Sequence, residues 1–371
     1  MAKKLENRAA EPTSFVGREF ELNRFREIRN SQGPNIVVVY GRRRVGKTTL
    51  IQRAIEGERV FFFEGSQWEM PIRELPFCDA IKLLGANKSA LEQLDGYLAV
   101  GGVPEYLRLL HTESSVYLSL AKHGFTEGGF FVHEAERVFV SSFAERPGYR
   151  AILESLAKKA SNTKSSILKI TGNSSGGGAK NLFEDLELCG FIYPYSPFGF
   201  GESTRECRWM ISDSYLQFFF RLIAPKLPSI RRGEFNKKPS NALSHVEYRK
   251  WIGLSFERFC LFHHRQIASV LGFSGVEYQV GPFYQRNAPK AGQLDLVFDR
   301  KDRVTTVCEI KYQINPPGNE VIRPFETAIQ LLPPNKQRSM QKVLISPNGA
   351  SPSLVKSGYF DQVIDWLSLG A

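Results

Sequence analysis

The apolar pattern near the N-terminus predicts a buried strand that is followed directly by a helix. Residues 36–39 are four consecutive β-branched or aliphatic residues, a run suited to a strand that is covered on both faces. Apolar residues then recur at helical spacing over positions 50–55. The sequence GRRRVGKT at residues 41–48 lies between them and fits the pattern G-x-x-x-x-G-K-[ST]. A strand, a glycine loop and a helix in this order predict a cradle for a polyphosphate.

Each residue type in this loop has a chemical reason to be there. Gly41 and Gly46 let the backbone curl so that successive N–H groups point inward, and the helix N-terminus adds positive potential. Lys47 is expected to reach the β- and γ-phosphates, and the Thr48 hydroxyl to bind Mg²⁺. The alternative is a glycine turn with a chance lysine. We therefore expect ATP and Mg²⁺ as cofactors, held by Gly41, Arg42, Arg43, Arg44, Val45, Gly46, Lys47, Thr48 and Thr49.

The segments around the loop predict a nucleotide-binding module that lacks one element. Residues 15–29 predict a turn and an amphipathic helix, and residues 59–64 (RVFFFE) predict a second buried strand. In nucleotide-hydrolysing modules with such a loop, a strand that ends in Asp-Glu normally holds Mg²⁺ and positions the attacking water. No Asp-Glu pair follows an apolar run between residues 50 and 148. Glu64 is the nearest substitute, and we interpret it as an ordinary residue at the end of a strand.

Three motifs resemble a large family of prokaryotic P-loop ATPases that is related to AAA+ and STAND proteins and is abundant in archaea. They are YGRRRVGKT at residues 40–48, LPFCDA at 75–80 and GGVPEYL at 101–107. VGREFEL at residues 16–22 is similar to the segment that borders the adenine pocket in such ATPases. In the family, the acidic and sensor strands lie where this chain has only residues 65–69.

The resemblance implies a shortened ATPase module over residues 15–110. The P-loop strand is then expected to pair with residues 70–75, and the remnant sheet keeps an open edge. We therefore expect a weakened nucleotide domain that needs its ligand or a partner, either a second copy or another chain, to stay ordered. ATP hydrolysis is in doubt because the acidic strand is missing.

The middle of the chain predicts three helices and a hairpin after a helical connector at residues 111–148. The helices are expected at 149–160, 165–170 and 179–189, and the hairpin strands at 191–195 and 208–211. Residues 149–224 resemble the winged helix of the same family, with the third helix in the recognition position. Lys180 and Asn181 could contact DNA, but Glu184, Asp185 and Glu187 on the same helix would repel phosphates. Docking against another domain is therefore the favoured role.

A Pro-rich, basic stretch then separates the last domain from the rest. Residues 225–245 predict a linker, which is either simply solvated or an arm for nucleic acid. The last domain, residues 246–371, begins with a helix at 249–264. Strands follow at 293–298 (QLDLVF) and 304–312 (VTTVCEIKY), joined as a hairpin.

Acidic residues of this hairpin predict a second chemical site. Glu309 and Lys311 are two residues apart on a strand and therefore share a face, and strand pairing brings Asp295 to that face. Two carboxylates and an ammonium group can hold Mg²⁺ and position a water against a phosphodiester. Glu257 on the preceding helix completes the acidic set. Residue pairs of the form E-x-K also occur on ordinary strand surfaces.

This domain resembles the PD-(D/E)xK nuclease fold, through Glu257, Asp295, Glu309, Lys311 and a later strand at 342–346. Leu294 stands where the motif has proline. The resemblance implies catalysis by Asp295, Glu309 and Lys311. The metal ligands would be Glu257, Asp295 and Glu309, besides Thr48 at the P-loop. Many domains of this fold have lost the chemistry, so cleavage itself stays open.

Composition and charge narrow the class of protein. The 371 residues, 42% hydrophobic and 23% charged, suit a soluble α/β multidomain protein with a polar tail at residues 1–14. A net charge of +11 favours an anionic partner such as DNA or a nucleotide. Five scattered cysteines predict neither a zinc site nor disulfides, and favour the cytoplasm. The N-terminus has no signal-peptide pattern, and no apolar run is long enough to span a membrane.

We expect a shortened P-loop NTPase module, a winged helix and a restriction-endonuclease-like α/β domain. The leading hypothesis is nucleotide-dependent action on DNA, with Mg²⁺-dependent cleavage. The first alternative is a non-enzymatic, nucleotide-binding or regulatory protein in which both sites are remnants. The second is an ATPase that a partner completes.

Overall fold

The structure is a computed structural model. It describes residues 15–30, 37–41, 44–56, 68–72, 74–143, 147–158, 162–171, 177–199, 207–285, 291–333 and 337–369. The expected tail at 1–14, the loop residues Arg42 and Arg43, and the expected strand at 59–64 with Glu64 lie outside these ranges. Within them, helices accompany three sheets, which agrees with the expected α/β class. None of the described helices is long and apolar enough to cross a lipid bilayer.

The N-terminal unit contains the predicted succession of strand, loop and helix, with a helix before it and a second strand after it. Its elements are α1 (Glu19–Asn30), β1 (Val37–Gly41), α2 (Lys47–Ala54) and β2 (Trp68–Ile72). β1 pairs with β2 in parallel, from Val37 opposite Trp68 to Gly41 opposite Ile72. The expected pairing of the P-loop strand with the segment near residue 70 is therefore confirmed, two residues earlier than predicted. Residues 15–29 were expected to form an amphipathic helix, yet Phe20 of α1 is 79% exposed.

Helices then form most of the first half of the chain. They are α3 (Phe77–Leu84), α4 (Ala90–Val100), α5 (Pro104–Leu109), α6 (Val116–Phe125) and α7 (Phe130–Phe143). Ser89 and Glu92 form a capping box that starts α4, and the Ser115 hydroxyl caps α6. α6 and α7, which the sequence suggested as a connector, contribute buried residues to the same core as α3–α5. This continuous core extends to Trp366 near the C-terminus.

A close backbone approach fixes the turn between α4 and α5. The Leu75 N–H donates to the Gly102 carbonyl at 2.8 Å. A Cβ atom placed on Gly102 would lie only 1.9 Å from the Leu75 carbonyl oxygen, so only glycine fits at this position. This turn also places Pro104 and Glu105 beside the phosphate-binding loop.

We therefore expect Gly102→Ala to destabilise the protein by about 2–4 kcal/mol, because backbone atoms must separate to admit the methyl group. Thermal unfolding followed by circular dichroism measures the change. Gly128→Ala is the matched control, since a Cβ atom there meets nothing within 4 Å. Equal midpoints for the two variants would contradict the tight packing at Gly102.

The middle unit contains three helices and a small antiparallel sheet. Its elements are α8 (Pro147–Lys158), β3 (Asn162–Thr163), α9 (Lys164–Thr171), α10 (Gly177–Leu188), β4 (Ile192–Tyr195) and β5 (Arg208–Ile211). The sheet order is β3-β5-β4. The helices and the hairpin lie within a few residues of their predicted positions, and β3 is an addition that the sequence did not suggest. α11 (Ser214–Phe218) continues into a π-helix (Phe219–Ile223) whose aromatic residues are buried.

The stretch at 225–245 is not an extended linker, and this corrects the sequence-based expectation. It contains short 3₁₀ segments (Ala224–Lys226 and Pro239–Ala242) and helix α12 (Leu227–Arg231). Ile230 and Leu243 are fully buried, and the Tyr117 hydroxyl of α6 donates to the Leu243 carbonyl. These apolar anchors outweigh the prolines and basic residues that suggested a solvated linker.

The C-terminal unit is a five-stranded mixed sheet with helices around it. Its helices are α13 (His245–Phe262), α14 (His264–Val270), α15 (Ile322–Ile329), α16 (Pro352–Ser357) and α17 (Trp366–Leu369). Its strands are β6 (Tyr278–Gln285), β7 (Gly292–Arg300), β8 (Val304–Ile310), β9 (Ser339–Ser346) and β10 (Gln362–Asp365). The sheet order is β10-β9-β8-β7-β6, with β6, β7 and β8 antiparallel and β8, β9 and β10 parallel.

A buried carboxylate joins this sheet to the N-terminal helices. Asp95 of α4 accepts hydrogen bonds from the hydroxyl groups of Tyr312 and, at 3.2 Å, of Tyr248. Burial raises the pKa of Asp95 to about 6, although the two hydrogen bonds act in the opposite direction. Tyr312 directly follows Lys311, so this contact fixes the chain next to the predicted catalytic lysine.

Candidate functional site

The phosphate-binding loop has the backbone conformation that its glycines allow. Gly41 has a φ of 144° and Gly46 a φ of 88°, both in the region that favours glycine. α2 begins at Lys47, so the helix N-terminus faces the loop as predicted. The Lys47 ammonium group folds over the loop and donates to the Gly41 carbonyl at 2.7 Å. Burial lowers the pKa of Lys47.

The loop opens into a cavity of about 420 Å³ that collects residues from four distant parts of the chain. Arg18, whose guanidinium Nη2 donates to the Val45 carbonyl at 2.9 Å, ties the N-terminal segment to the loop. The turn before α5 supplies the opposite wall. The lining residues are Phe15, Val16, Arg18, Arg44, Val45, Gly46, Lys47, Thr48, Thr49, Leu75, Leu83, Pro104, Glu105 and Arg108. Thus all three motifs of the resembled ATPases contribute to one cavity.

The Arg44 side chain is engaged by protein carboxylates, which the sequence did not suggest. Its Nε donates to Glu134 Oε1 at 2.7 Å, and its Nη1 contacts Glu105 Oε1. The guanidinium carbon lies 4.9 Å from the centre of the Phe130 ring. Arg44 was predicted to bind nucleotide; it lines the cavity, and its guanidinium group is paired with Glu105 and Glu134. No local signal could reveal a partner 90 positions away.

The second predicted site forms around a bulge in β7. Val297 pairs with Gly281 and Leu294 with Phe283, so Asp295 and Leu296 together face Pro282 on β6. Such an extra residue re-aims side chains and often lies next to functional sites. Pro282 was the available signal, because proline inside a strand marks an edge or a bulge. Sequence reasoning did not use it.

Asp295, Glu309 and Lys311 come together as expected. Asp295 Oδ2 accepts from the Ile310 N–H at 3.0 Å, and its Oδ1 accepts from Gln293 Nε2 at 3.3 Å. The Lys311 ammonium lies 2.5 Å from Glu309 Oε1. Glu309 is 7% exposed, whereas the Lys311 side chain is 34% exposed, so only the carboxylate of this ion pair is shielded from water. β8 ends at Ile310, and the Lys311 N–H continues the ladder to the Ile345 carbonyl at 2.9 Å.

Burial and mutual repulsion perturb the carboxyl groups of this cluster. Burial, followed by the charge of Asp295, raises the pKa values of Glu257 and Glu309 to about 7. Burial also raises the pKa of Asp295, which Lys311 and the Ile310 N–H partly offset. Burial acts to lower the pKa of Lys311, but the surrounding carboxylates outweigh it and raise that pKa. The cluster thus holds more negative charge than one lysine neutralises.

The predicted three-carboxylate metal site does not form in this arrangement. Among the described residues, no group of three or more His, Cys, Asp or Glu side chains is placed to hold a metal ion. The physical reason is that Asp295 is engaged by Ile310 and Gln293, and Glu309 by Lys311. The residues still fit Mg²⁺ in a simpler way, because Mg²⁺ commonly takes one or two carboxylates and keeps several waters.

The raised pKa values predict how stability depends on pH. Glu257 and Glu309 bind protons more tightly in the folded protein than in the unfolded chain, so folding loses stability as pH rises from about 4.5 to 7. We expect Glu309→Gln to recover on the order of 1–3 kcal/mol at pH 8 and little at pH 5. Thermal melts at both pH values test this. Glu187→Gln on the exposed face of α10 is the control, and the same gain at both pH values would contradict the assignment.

The third helix of the middle unit, α10, exposes both polar and apolar groups. Asn181, Glu184 and Glu187 are exposed, and Leu188 is 84% exposed. The Tyr149 hydroxyl of α8 donates to Asp185, which therefore helps to hold α10 in place. The side chain of Lys180 lies outside the described side chains.

Comparisons with known proteins agree with the geometry of the first site. A family model of ATPase domains predominantly from Archaea matches residues 15–67. An uncharacterized ATP-binding protein of Methanocaldococcus jannaschii is 41% identical over 46 residues, which cover 12% of this chain and 78% of that protein. A second, uncharacterized protein of the same organism is 26% identical over 167 residues, or 45% of this chain. This chain covers 36% of that relative's length. No solved structure gives a significant match.

The matched segment contains the strand, the glycine loop and the helix, and extends from the wall of the cavity at Phe15 to the end of the loop helix and beyond. The overlap therefore falls on the residues that would hold a nucleotide. Through residues 15–67, the chain belongs to the family of ATPase domains found predominantly in Archaea.

Proposed function

We propose that the protein binds ATP in the cavity at the phosphate-binding loop. One observation carries this proposal: Lys47, Thr48, Arg18 and Pro104, from separate segments, line a single cavity. The loop N–H groups and the Lys47 ammonium would bind the β- and γ-phosphates. The printed name of one relative, an ATP-binding protein, supports the same ligand.

The cavity also suits the rest of the nucleotide. Val16 and Pro104 offer apolar surface for a base, and the exposed Thr48 at the start of α2 would hold Mg²⁺ through its hydroxyl group. Mg²⁺, when bound, neutralises phosphate charge. Calorimetric titration of the full chain with ATP and Mg²⁺ tests the proposal. Saturable binding of one ATP per chain is expected, and no heat of binding at millimolar ATP would contradict it.

We propose binding with slow or no turnover by the isolated chain. The described part of the N-terminal sheet is β1 paired with β2, and the sequence has no acidic strand to position the attacking water. A second copy or another protein could supply that element. If another protein supplies it, phosphate release appears only in a mixture with that protein; if a second copy supplies it, release appears only at concentrations where the chain self-associates. Steady turnover by the dilute, monomeric chain would contradict this part of the proposal.

A second candidate function is Mg²⁺-dependent cleavage of DNA at the β7–β8 cluster. The observation that favours it is the convergence of Asp295, Glu309 and Lys311 at a bulge in a five-stranded mixed sheet. Asp295 and Glu309 would hold Mg²⁺, which lowers the pKa of a bound water. The Lys311 ammonium, 2.5 Å from Glu309, would orient that carboxylate and stabilise charge on the phosphate.

The middle unit supports a role on DNA in a more limited way. Its order of helix, short strand, two helices and hairpin supports the proposal of a winged helix, and the net charge of +11 favours a polyanion. The acidic residues of α10 oppose direct phosphate contact. We therefore assign α10 to docking against another domain and not to contact with DNA.

The rival proposal is a non-enzymatic regulatory protein in which both sites are remnants. It rests on the missing acidic strand and on the engaged carboxylates of the second site. It predicts ATP binding without turnover and no metal-dependent cleavage of DNA. Nicking of supercoiled plasmid in the presence of Mg²⁺ or Mn²⁺ discriminates the two proposals directly, because only the enzymatic one requires Lys311.

A further inference from the structure

Apolar packing gives the phosphate-binding loop little support. Val45 and Leu50 are the buried residues of its local cluster, and partly buried side chains such as Leu22 and Val39 pack against them. Within the described residues, β1 has β2 as its paired strand. Few buried contacts usually mean low local stability. The loop therefore needs contacts from outside its own module to keep one conformation.

Arg44 carries strain in the middle of this loop. Its φ of 67° lies in the left-handed region, which residues other than glycine adopt at a cost. Its side chain contacts the aromatic ring of Phe130, Glu134 Oε1 and Glu105. Burial acts to lower the pKa of Arg44, but the hydrogen bonds and charges of the two carboxylates raise it above its ordinary value. These contacts hold the strained backbone in place.

The buried carboxylate of Glu134 in turn needs the positive charge of Arg44 beside it. The Glu134 side chain is 0% exposed, and its Oε1 accepts from both Arg44 Nε and, at 2.9 Å, the Tyr106 hydroxyl. Its Oε2 is buried with no hydrogen-bond partner among the described residues, and Arg137 Nη1 is 3.8 Å away. A buried carboxylate is costly unless a cation accompanies it. Arg44 is the close cation that meets this need.

Rigid neighbours surround the pair. Tyr106 packs against Phe131 and Tyr215, with ring centres 5.7 and 5.1 Å away. The Tyr215 hydroxyl donates to the Phe131 carbonyl at 2.8 Å. Glu134 is thus presented to the loop by a packed aromatic cluster on α7 and its neighbours, which gives it a defined position.

We propose that Glu134 is a positioning residue for the phosphate-binding loop: through Arg44 it holds the loop in the conformation that binds polyphosphate. The inference rests on the proposed binding of ATP at this loop. In this proposal α7, which lies outside the family-matched residues 15–67, supports the loop. The described sheet of β1 and β2 provides little support of its own. Glu134 itself touches no phosphate in this role.

The test compares ATP affinity by calorimetry in the wild type, Glu134→Gln, Arg44→Gln and the double variant. Glutamine keeps the shape of the Glu134 side chain and removes its charge, and at position 44 it is a shorter polar side chain without the guanidinium group. We expect each single change to weaken binding by about tenfold or more, and the double change to weaken it no further, because both break the same contact. Glu136→Gln is the matched control, since Glu136 lies on the exposed side of α7 and pairs with Arg150.

Hydrogen exchange in the absence of nucleotide provides an independent readout. We expect faster exchange in the first turn of α2, where the Leu50 N–H donates to Gly46 at 2.8 Å, in Glu134→Gln and not in Glu136→Gln. Wild-type affinity in Glu134→Gln, or losses that multiply in the double variant, would overturn the inference. If the wild type binds no ATP but the exchange result holds, the proposed function fails and the positioning role stands.

Discussion

Replacing Lys47 with alanine is expected to weaken ATP binding by roughly a hundredfold or more. The ammonium group lies on the wall of the cavity, 2.7 Å from the Gly41 carbonyl, so it can exchange this acceptor for phosphate oxygens. A charge-assisted hydrogen bond in a partly buried site is among the strongest that a side chain offers, and a hundredfold change corresponds to about 2.7 kcal/mol. Calorimetric titration with ATP and Mg²⁺ measures the loss.

Lys82→Ala is the matched control for this prediction. Lys82 is an exposed lysine on α3 that pairs with Asp79 at 2.9 Å. Its removal lowers the net charge by the same amount and should leave ATP affinity unchanged. If Lys47→Ala binds ATP as tightly as the wild type, the cavity is not the nucleotide site, whatever the family match of the loop.

Replacing Lys311 with alanine is expected to reduce Mg²⁺- or Mn²⁺-dependent nicking of DNA by about 10²–10³-fold, the usual loss when one preorganised charge-stabilising group is removed. Lys311 contacts Glu309 at 2.5 Å and lies beside Asp295 and Glu257 in a buried cluster. Its loss therefore removes both the charge that stabilises phosphate and the group that orients Glu309. Conversion of supercoiled plasmid to nicked circles measures the effect.

Lys301→Ala controls for the loss of positive charge near the same hairpin, because Lys301 is exposed in the turn between β7 and β8. This variant should cleave like the wild type. Equal nicking by the wild type and Lys311→Ala would remove the nuclease proposal. Absence of metal-dependent nicking by the wild type would instead favour the non-enzymatic alternative, in which the cluster is a remnant.

One helix, α4, lies next to the surroundings of both candidate sites. α4 ends at the turn that places Pro104 and Glu105 in the cavity at the phosphate-binding loop. The same helix holds Tyr312 through Asp95, and Tyr312 follows Lys311. A single packed helix therefore contacts the surroundings of both sites.

Local sequence was enough to predict the conformation of the P-loop and the shared face of Glu309 and Lys311. The strand, the turn at Gly46 and the helix that starts at Lys47 depend on interactions among neighbouring residues, so propensity and spacing suffice to predict them. The same holds for Glu309 and Lys311, because alternation along a strand fixes which side chains share a face. The parallel pairing of β1 with the strand near residue 70 was implied by the resemblance to the ATPase family, because the strands that lie between them in that family are missing here.

Tertiary structure alone decided how the predicted residues are engaged. Arg44 meets Glu134 across 90 positions, and no periodicity encodes such a contact. Packing around Ile230 and Leu243 turned a basic, Pro-rich stretch into ordered helical segments, because buried apolar area outweighs local composition. The bulge at Asp295 depends on how β7 matches its partner strand, which is a property of the assembled sheet.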